Sequence, residues 1–418
     1  MVNQIRQALR IVRSKPQGLT VQLNTPSSLL PVMDLRRQLK RIPAAVPIWR
    51  FLKGAVRSAP YYSIRALGHM LYPVIGARAP LRGYHDTTLD FLKRGRGHSI
   101  LLAPQTITNA VTVADPIRPE LFVAVIPGAR VLSDRAVVSP DHRLLADVSW
   151  AGWGLTSQPV AHPAMFKHHL PPVERIAGRL AVLSSLDADV YYHWLFDVLP
   201  RLGLLQKSDV AVDYYVVNTR QPFQRDTLKI LGLPEDRLLN PAATAHFEAD
   251  ELVIPSLLGP VYSFSPQPYA CEYLRSAFLP KRGAQKPHRA IYISRADAGT
   301  RRVINETEIH EELVNHGFEI VELGSLPFAE QVELFADARI VVGPHGAGLA
   351  NAVFCQPGTV LIEFMPEKRI VDCFERMAQI IGLTYHSIVG IEEGVSSASH
   401  DLTLDPVELR NLLRRYAG

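Results

Sequence analysis

Between Ala338 and Phe364 the chain reads ARIVVGPHGAGLANAVFCQPGTVLIEF, two short apolar runs on either side of a glycine-rich turn. Residues 339–342, Arg-Ile-Val-Val, end in three apolar β-branched residues, the pattern of a strand buried on both faces. Gly343, Gly346 and Gly348 follow, residues 349–354 read as helix, and residues 359–364 give a second buried strand ending at Glu363. A strand, a glycine-rich turn and a helix N-terminus in succession suit an anion. The glycines admit it close to the backbone, and unpaired N–H groups with the helix dipole face it. The spacing Gly343-x-x-Gly346-x-Gly348 is neither GxGxxG nor a P-loop. A ligand-free strand-to-helix turn accounts for it equally at this point.

The rest of the chain alternates in the same way. Strands are expected at residues 180–183, 214–217, 251–254, 290–293, 318–323 and 384–388. Helices are expected at 222–231, 269–278, 306–316, 328–336, 371–381 and 405–416, with Asn305 and Glu308 at capping-box spacing. This alternation predicts α/β architecture with parallel sheet. Residues 99–150 differ, with short strands separated by turns, and predict an added antiparallel region on the first domain. Proline-rich residues 256–288 read as the connection to a second α/β unit. The expected domains are a basic arm (1–80), a first Rossmann-like domain (81–265) and a second (266–418). In doubly wound sheets ligands sit beyond the carboxyl ends of strands. Arg295, Arg301, Arg302, His345, Gly346 and Gly348 are therefore candidates to hold a diphosphate, with Glu363 a candidate acceptor for a ribose diol. Arginine suits such an anion because its planar fork makes paired charge-assisted bonds.

A second informative stretch is YYHWLFDVLPRL, residues 191–202, where His193 and Asp197 fall at i and i+4 on one helical face. Asp187 or Asp189 could cap this helix, and Pro200 should kink it near Leu199. The plainer reading is an Asp197–Arg201 surface pair beside a core histidine. His162, His168 and His169 have no carboxylate or cysteine at ligand spacing, so no metal is expected there.

Charge is unevenly spread. Residues 1–65 hold twelve Lys and Arg against a single acid, Asp34, so the remainder of this +5 chain is close to −6. Aromatic and apolar residues interleave with those cations, which suits an anionic membrane surface. No nucleic-acid module accompanies the charge, and a solvated arm remains the alternative. No secretory leader, long apolar span or disulfide framework is evident, the three cysteines being scattered, so a cytoplasmic location is expected, peripheral at an inner membrane.

Three stretches, YYHWLFDVLPRL, YISRADAGTRRVINE and VGPHGAGLANAVFCQPGTVLIE, resemble glycosyltransferase family 61 in order and spacing. The resemblance covers roughly residues 95–390. Ala296 and Ala350 stand where many members carry a basic and a hydroxyl residue. It implies a GT-B fold, two Rossmann-like domains facing across a cleft, and an inverting transfer from a nucleotide sugar, UDP-linked, in capsule or lipopolysaccharide synthesis. The acceptor would be a glycan or a lipid-linked glycan. His193 oriented by Asp197, or the reverse, would then be the base. Arg295, Arg302 and the helix N-terminus would meet the leaving diphosphate without a metal or other cofactor. The competing readings are an NAD enzyme, weakened by the missing GxGxxG, and a non-catalytic nucleotide-sugar-binding scaffold of a polysaccharide-assembly complex.

Overall fold

The computed structural model describes residues 62–416, apart from 86, 96, 103–119, 134–135, 150–161, 186, 260–265, 281–285, 369–370 and 393–400. Most of the expected basic arm lies outside these residues. Residues 58–418 pack as one compact unit.

The first half contributes strands β1 (Tyr84–His85), β2 (His98–Leu101), β3 (Phe122–Pro127), β4 (Arg130–Leu132), β5 (Ala136–Val138), β6 (Leu144–Leu145), β7 (Glu174–Val182), β8 (Tyr214–Val216), β9 (Leu238–Leu239) and β10 (His246–Pro255). Its Rossmann-like part is the parallel run β10-β7-β8-β9. Along its other edge β10 pairs antiparallel with β4 at one end and β3 at the other. The region expected to be antiparallel therefore extends the edge of the same sheet.

The second half contributes β11 (Arg289–Ile293), β12 (Glu319–Val321), β13 (Ala338–Pro344), β14 (Val360–Pro366), β15 (Thr384–Glu392) and β16 (Leu402–Thr403), in the order β12-β11-β13-β14-β15-β16. All but β16 run parallel. Strand order reverses between β11 and β13, which makes their carboxyl ends the switch point where doubly wound sheets open a crevice.

One apolar core joins the halves. Trp194, Leu199 and Leu202 of the first share it with Ile293, Leu349, Phe354 and Phe374 of the second. The 268–278 helix lies between them, and Gly203 lets it approach: a Cβ there would sit 2.4 Å from the Tyr273 ring. Arg275 of that helix donates to the Val353 and Cys355 carbonyls at 2.6 Å each. All three cysteines are buried and free. Asn305 does not close a capping box. Its amide reaches the Glu308 carboxylate and the Leu404 carbonyl instead, and its side-chain oxygen accepts from Leu404 N–H.

Beneath the antiparallel region lies a buried cation without a carboxylate. Arg130 donates to His142 Nδ1 at 2.7 Å and to His246 Nε2 at 3.3 Å. The opposite ring nitrogens donate to the Ala79 and Pro171 carbonyls. Both rings accept from a guanidinium, so both are neutral. Burial, then the Arg130 charge, pushes His142 down to about 4, and burial does the same for His246. A pKa depressed in the folded state leaves stability whole above the unfolded value of 6.5 and removes it as pH falls toward 4. We expect roughly 3 kcal/mol per histidine to be lost across that window. Melting temperature measured from pH 7.5 to 4.5 checks this. A flat profile, or an unchanged slope in His246→Gln, would contradict it.

Candidate functional site

At the switch point the chain leaves β11 through Ser294 and Arg295. Ser294 Oγ and Tyr292 OH both donate to Glu306 Oε1, at 2.9 and 3.0 Å, which fixes the strand end against the next helix. Arg295 turns back to donate to the Thr300 carbonyl from Nη2 at 2.9 Å, and half-burial pulls its pKa below the usual guanidinium range. Its guanidinium lies across Gly346, where a Cβ would come 2.2 Å from Nη1. Gly346 itself is extended, at φ 179°. The glycine is thus required for space and not for backbone conformation.

Beyond Gly346 the chain enters a 3₁₀ helix, Ala347–Phe354. Its first internal bond runs from Leu349 N–H to the Gly346 carbonyl. The amides of Ala347 and Gly348 precede that bond, at the positive end of the helix. The helix begins two residues earlier than the sequence implied and is tighter.

Arg295, Gly346 and Gly348 line a cleft of about 450 Å³ together with Ser294, Asp297 and Gln331. The first half supplies Tyr191, Gln221, Phe223 and Asp226 to the same cleft. Tyr191 OH donates to Asn351 Oδ1 at 2.6 Å, Asn351 Nδ2 to Gln331 Oε1 at 2.8 Å, and Gln331 Nε2 to the Leu323 and Leu326 carbonyls. This polar chain ties the two halves together at the cleft. Sequence reasoning passed over its members, although Tyr191 opens one quoted stretch and Asn351 lies within another.

Four candidates stand elsewhere than expected. His345 does not line the cleft. Neighbouring residues of an extended backbone point to opposite sides, so Pro344 and Gly346 face the cleft and His345 faces away. Its Nδ1 meets Glu363 Oε1 at 2.5 Å, and its ring lies against Phe374. Glu363 does not end its strand, which continues to Pro366, and it is fully buried. Tyr385 OH donates to its other oxygen at 2.7 Å, so both oxygens are taken inside the sheet and none is left for a ribose. Arg302 is held by Asp401, through its N–H to Oδ1 at 2.9 Å and Nη2 to Oδ2 at 3.0 Å, and that carboxylate balances its charge. Arg301 supports the turn, donating from Nε to the His345 carbonyl at 2.7 Å with its own backbone left-handed at φ 57°.

His193 and Asp197 meet as expected, Nδ1 to Oδ2, at 2.6 Å. The helix that carries them runs from Tyr191 through a π segment, Trp194–Val198, into Leu199–Ser208. Pro200 has no N–H and would crowd the carbonyl four residues back, and the wider π turn relieves that. Val190, not an aspartate, stands at its N-cap, while Asp189 is paired with Arg220 at 2.8 Å. His193 is buried and Asp197 half-exposed. The Tyr192 ring touches both His193 and Phe374, so the two histidine–carboxylate pairs flank one aromatic contact.

The alternative Asp197–Arg201 surface pair is absent. Arg201 is 1 % exposed and donates to the Val182, Leu183 and Pro255 carbonyls. Among the three central histidines, His162 is buried and accepts from Ala164 N–H, and His168 and His169 are exposed. Among the described residues, no cluster of three or more His, Cys, Asp or Glu side chains could hold a metal.

Part of the chain is similar to a Beta-1,2-xylosyltransferase of Arabidopsis thaliana, 30% identical over 100 residues. The likeness takes in 21% of this chain and 19% of that protein, so it spans about a fifth of the relative's length. Residues 191–362, from the helix of His193 to the middle of β14, match the family model described as Glycosyltransferase 61, and the two likenesses together support a glycosyltransferase.

Proposed function

We propose that this chain is an inverting glycosyltransferase that moves a sugar from a nucleoside diphosphate to a hydroxyl of a glycan or lipid-linked glycan. Cell-surface polysaccharide synthesis in the cytoplasm is the setting that the sequence resemblance favours, and a GT-B arrangement is the matching architecture. The observation that carries this reading is the Arg295 guanidinium lying across Gly346 at the switch-point cleft. A diphosphate there gains a planar cation and the amides of Ala347 and Gly348, which supply positive potential where charge builds on the leaving group.

His193 Nδ1 meets Asp197 Oδ2 at 2.6 Å, and Nε2 is the nitrogen assigned to take the acceptor's proton. In the reaction the acceptor hydroxyl gives its proton to that nitrogen as its oxygen bonds to the anomeric carbon. The bond from that carbon to the diphosphate breaks on the opposite face, and the electron pair leaves with the nucleotide. His345, held by Glu363, belongs to this flank and not to the phosphate. No metal is assigned a role, because Asp189 of the sole Asp-x-Asp triplet is already paired with Arg220.

A nucleotide-sugar panel that includes pentose donors, read by thermal stabilisation and by transfer in excess EDTA, tests the reading. Arg295→Ala should abolish donor stabilisation. Gly346→Ala should weaken donor binding tenfold or more, since a charge-assisted bond is worth about 1.5–3 kcal/mol. It should leave the melting temperature nearly unchanged, because only the end of a flexible side chain must move. Donor binding without turnover toward any acceptor would favour the scaffold reading. Complete loss in EDTA, restored by Mn²⁺, would show that the arginine and amides do not suffice.

A further inference from the structure

Helix 62–75 is held to the body of the protein by one side. Ile64 and Gly68 are buried, and a Cβ on Gly68 would lie 2.6 Å from the Pro80 carbonyl oxygen, so the helix backbone rests on that segment. One turn later Tyr72 stacks on His142 at 4.5 Å between centroids, with Arg82 over its ring. This second anchor leads to the buried Arg130 cluster. The helix is fixed in orientation.

Its other side is apolar and exposed. Met70 is 72% and Val74 78% exposed, with Tyr62 at 61%. Residues 62, 66, 70 and 74 recur every four positions, so they form a single stripe along the helix. A surface helix normally turns its apolar stripe inward, and a stripe turned outward marks a place where something apolar is met.

The sequence around the helix says what kind of surface that is. The twelve cations and single acid of residues 1–65 lead straight into it, and Arg78, exposed, follows it. A second copy of the chain is a poor occupant, since it would bring the same excess of positive charge. We propose that helix 62–75 is an interfacial anchor that lies on an anionic phospholipid bilayer. The stripe sinks to the level of the acyl-chain boundary, and the positive charge of the flanking sequence favours anionic headgroups there. Neither part suffices alone, because a short apolar stripe binds reversibly and bare charge is screened by salt. The anchor is independent of any sugar transfer.

Co-sedimentation of the full chain with phosphatidylcholine vesicles, with and without phosphatidylglycerol, tests it. Binding is expected only with the anionic lipid and should weaken at high salt. The double variant Met70→Ser with Val74→Ser should bind about tenfold or more weakly, with an unchanged melting temperature because both positions face solvent. Undiminished binding by the double variant would overturn the proposal, as would equal binding to neutral vesicles or none to either. Light scattering that shows a dimer dissociated by the same substitutions would assign the stripe to self-association instead.

Discussion

His193→Ala is expected to reduce sugar transfer by about 10²–10⁴-fold, the range for removal of a general base, while donor binding stays at the wild-type level. The separation follows from position. Arg295, Gly346 and Gly348 line the cleft, whereas His193 is not among its lining residues and pairs with Asp197. Asp197→Asn should fall between wild type and His193→Ala, since the amide still fills the position but cannot stabilise an imidazolium. The check is the ratio of single-turnover rates at saturating donor, with donor affinity measured separately. Near wild-type turnover in His193→Ala would remove the histidine from the mechanism.

Arg201→Met is expected to give the largest loss of stability of any single substitution considered, about 3 kcal/mol or more. The guanidinium closes the first sheet where β7 and β10 end, bonded to Val182 O at 2.8 Å, Pro255 O at 3.1 Å and Leu183 O at 3.2 Å. Methionine fills the volume and spares the burial of a cation, whose pKa burial has brought down to about 10 despite the opposing charge of Asp197. It leaves three buried carbonyls without that donor, and this outweighs the gain. Arg201→Lys should recover only part of the loss, because an ammonium cannot span three acceptors as the planar fork does. Urea unfolding of the three proteins decides it, and equal stability of the lysine and arginine forms would refute the geometric argument.

The contrast between what could and could not be read from the chain is physical. The runs at 290–293 and 339–342 announced buried parallel strands because both faces are covered, and the glycine turn announced itself by composition. Side-chain direction within that turn depends on the extended backbone at Gly346, which has no sequence signature, so nothing local in the sequence separates His345 from the residues that face the cleft. An acid closing an apolar run reads as a strand end, and Glu363 is not one. The strand instead runs on through Phe364-Met365-Pro366, and the acid is kept inside by His345 and Tyr385. Arg302 finds its carboxylate 99 residues downstream, beyond the reach of local pattern. The His193–Asp197 pair was legible because four residues on a helix are neighbours in space wherever the helix lies.

The shared core has a consequence for motion. Enzymes built from two α/β lobes commonly admit ligands by swinging the lobes apart about a hinge. Here such a swing would expose Trp194, Leu349 and Phe354 to water and break the Tyr191–Asn351 bond that joins the two halves. On the proposed reading a donor reaches the cleft by local yielding of the rim, and residues 296–300, which connect Arg295 to Arg301 and are mostly exposed, are the part of the wall that can give way. Access to the cleft is then governed by a loop and not by a lobe.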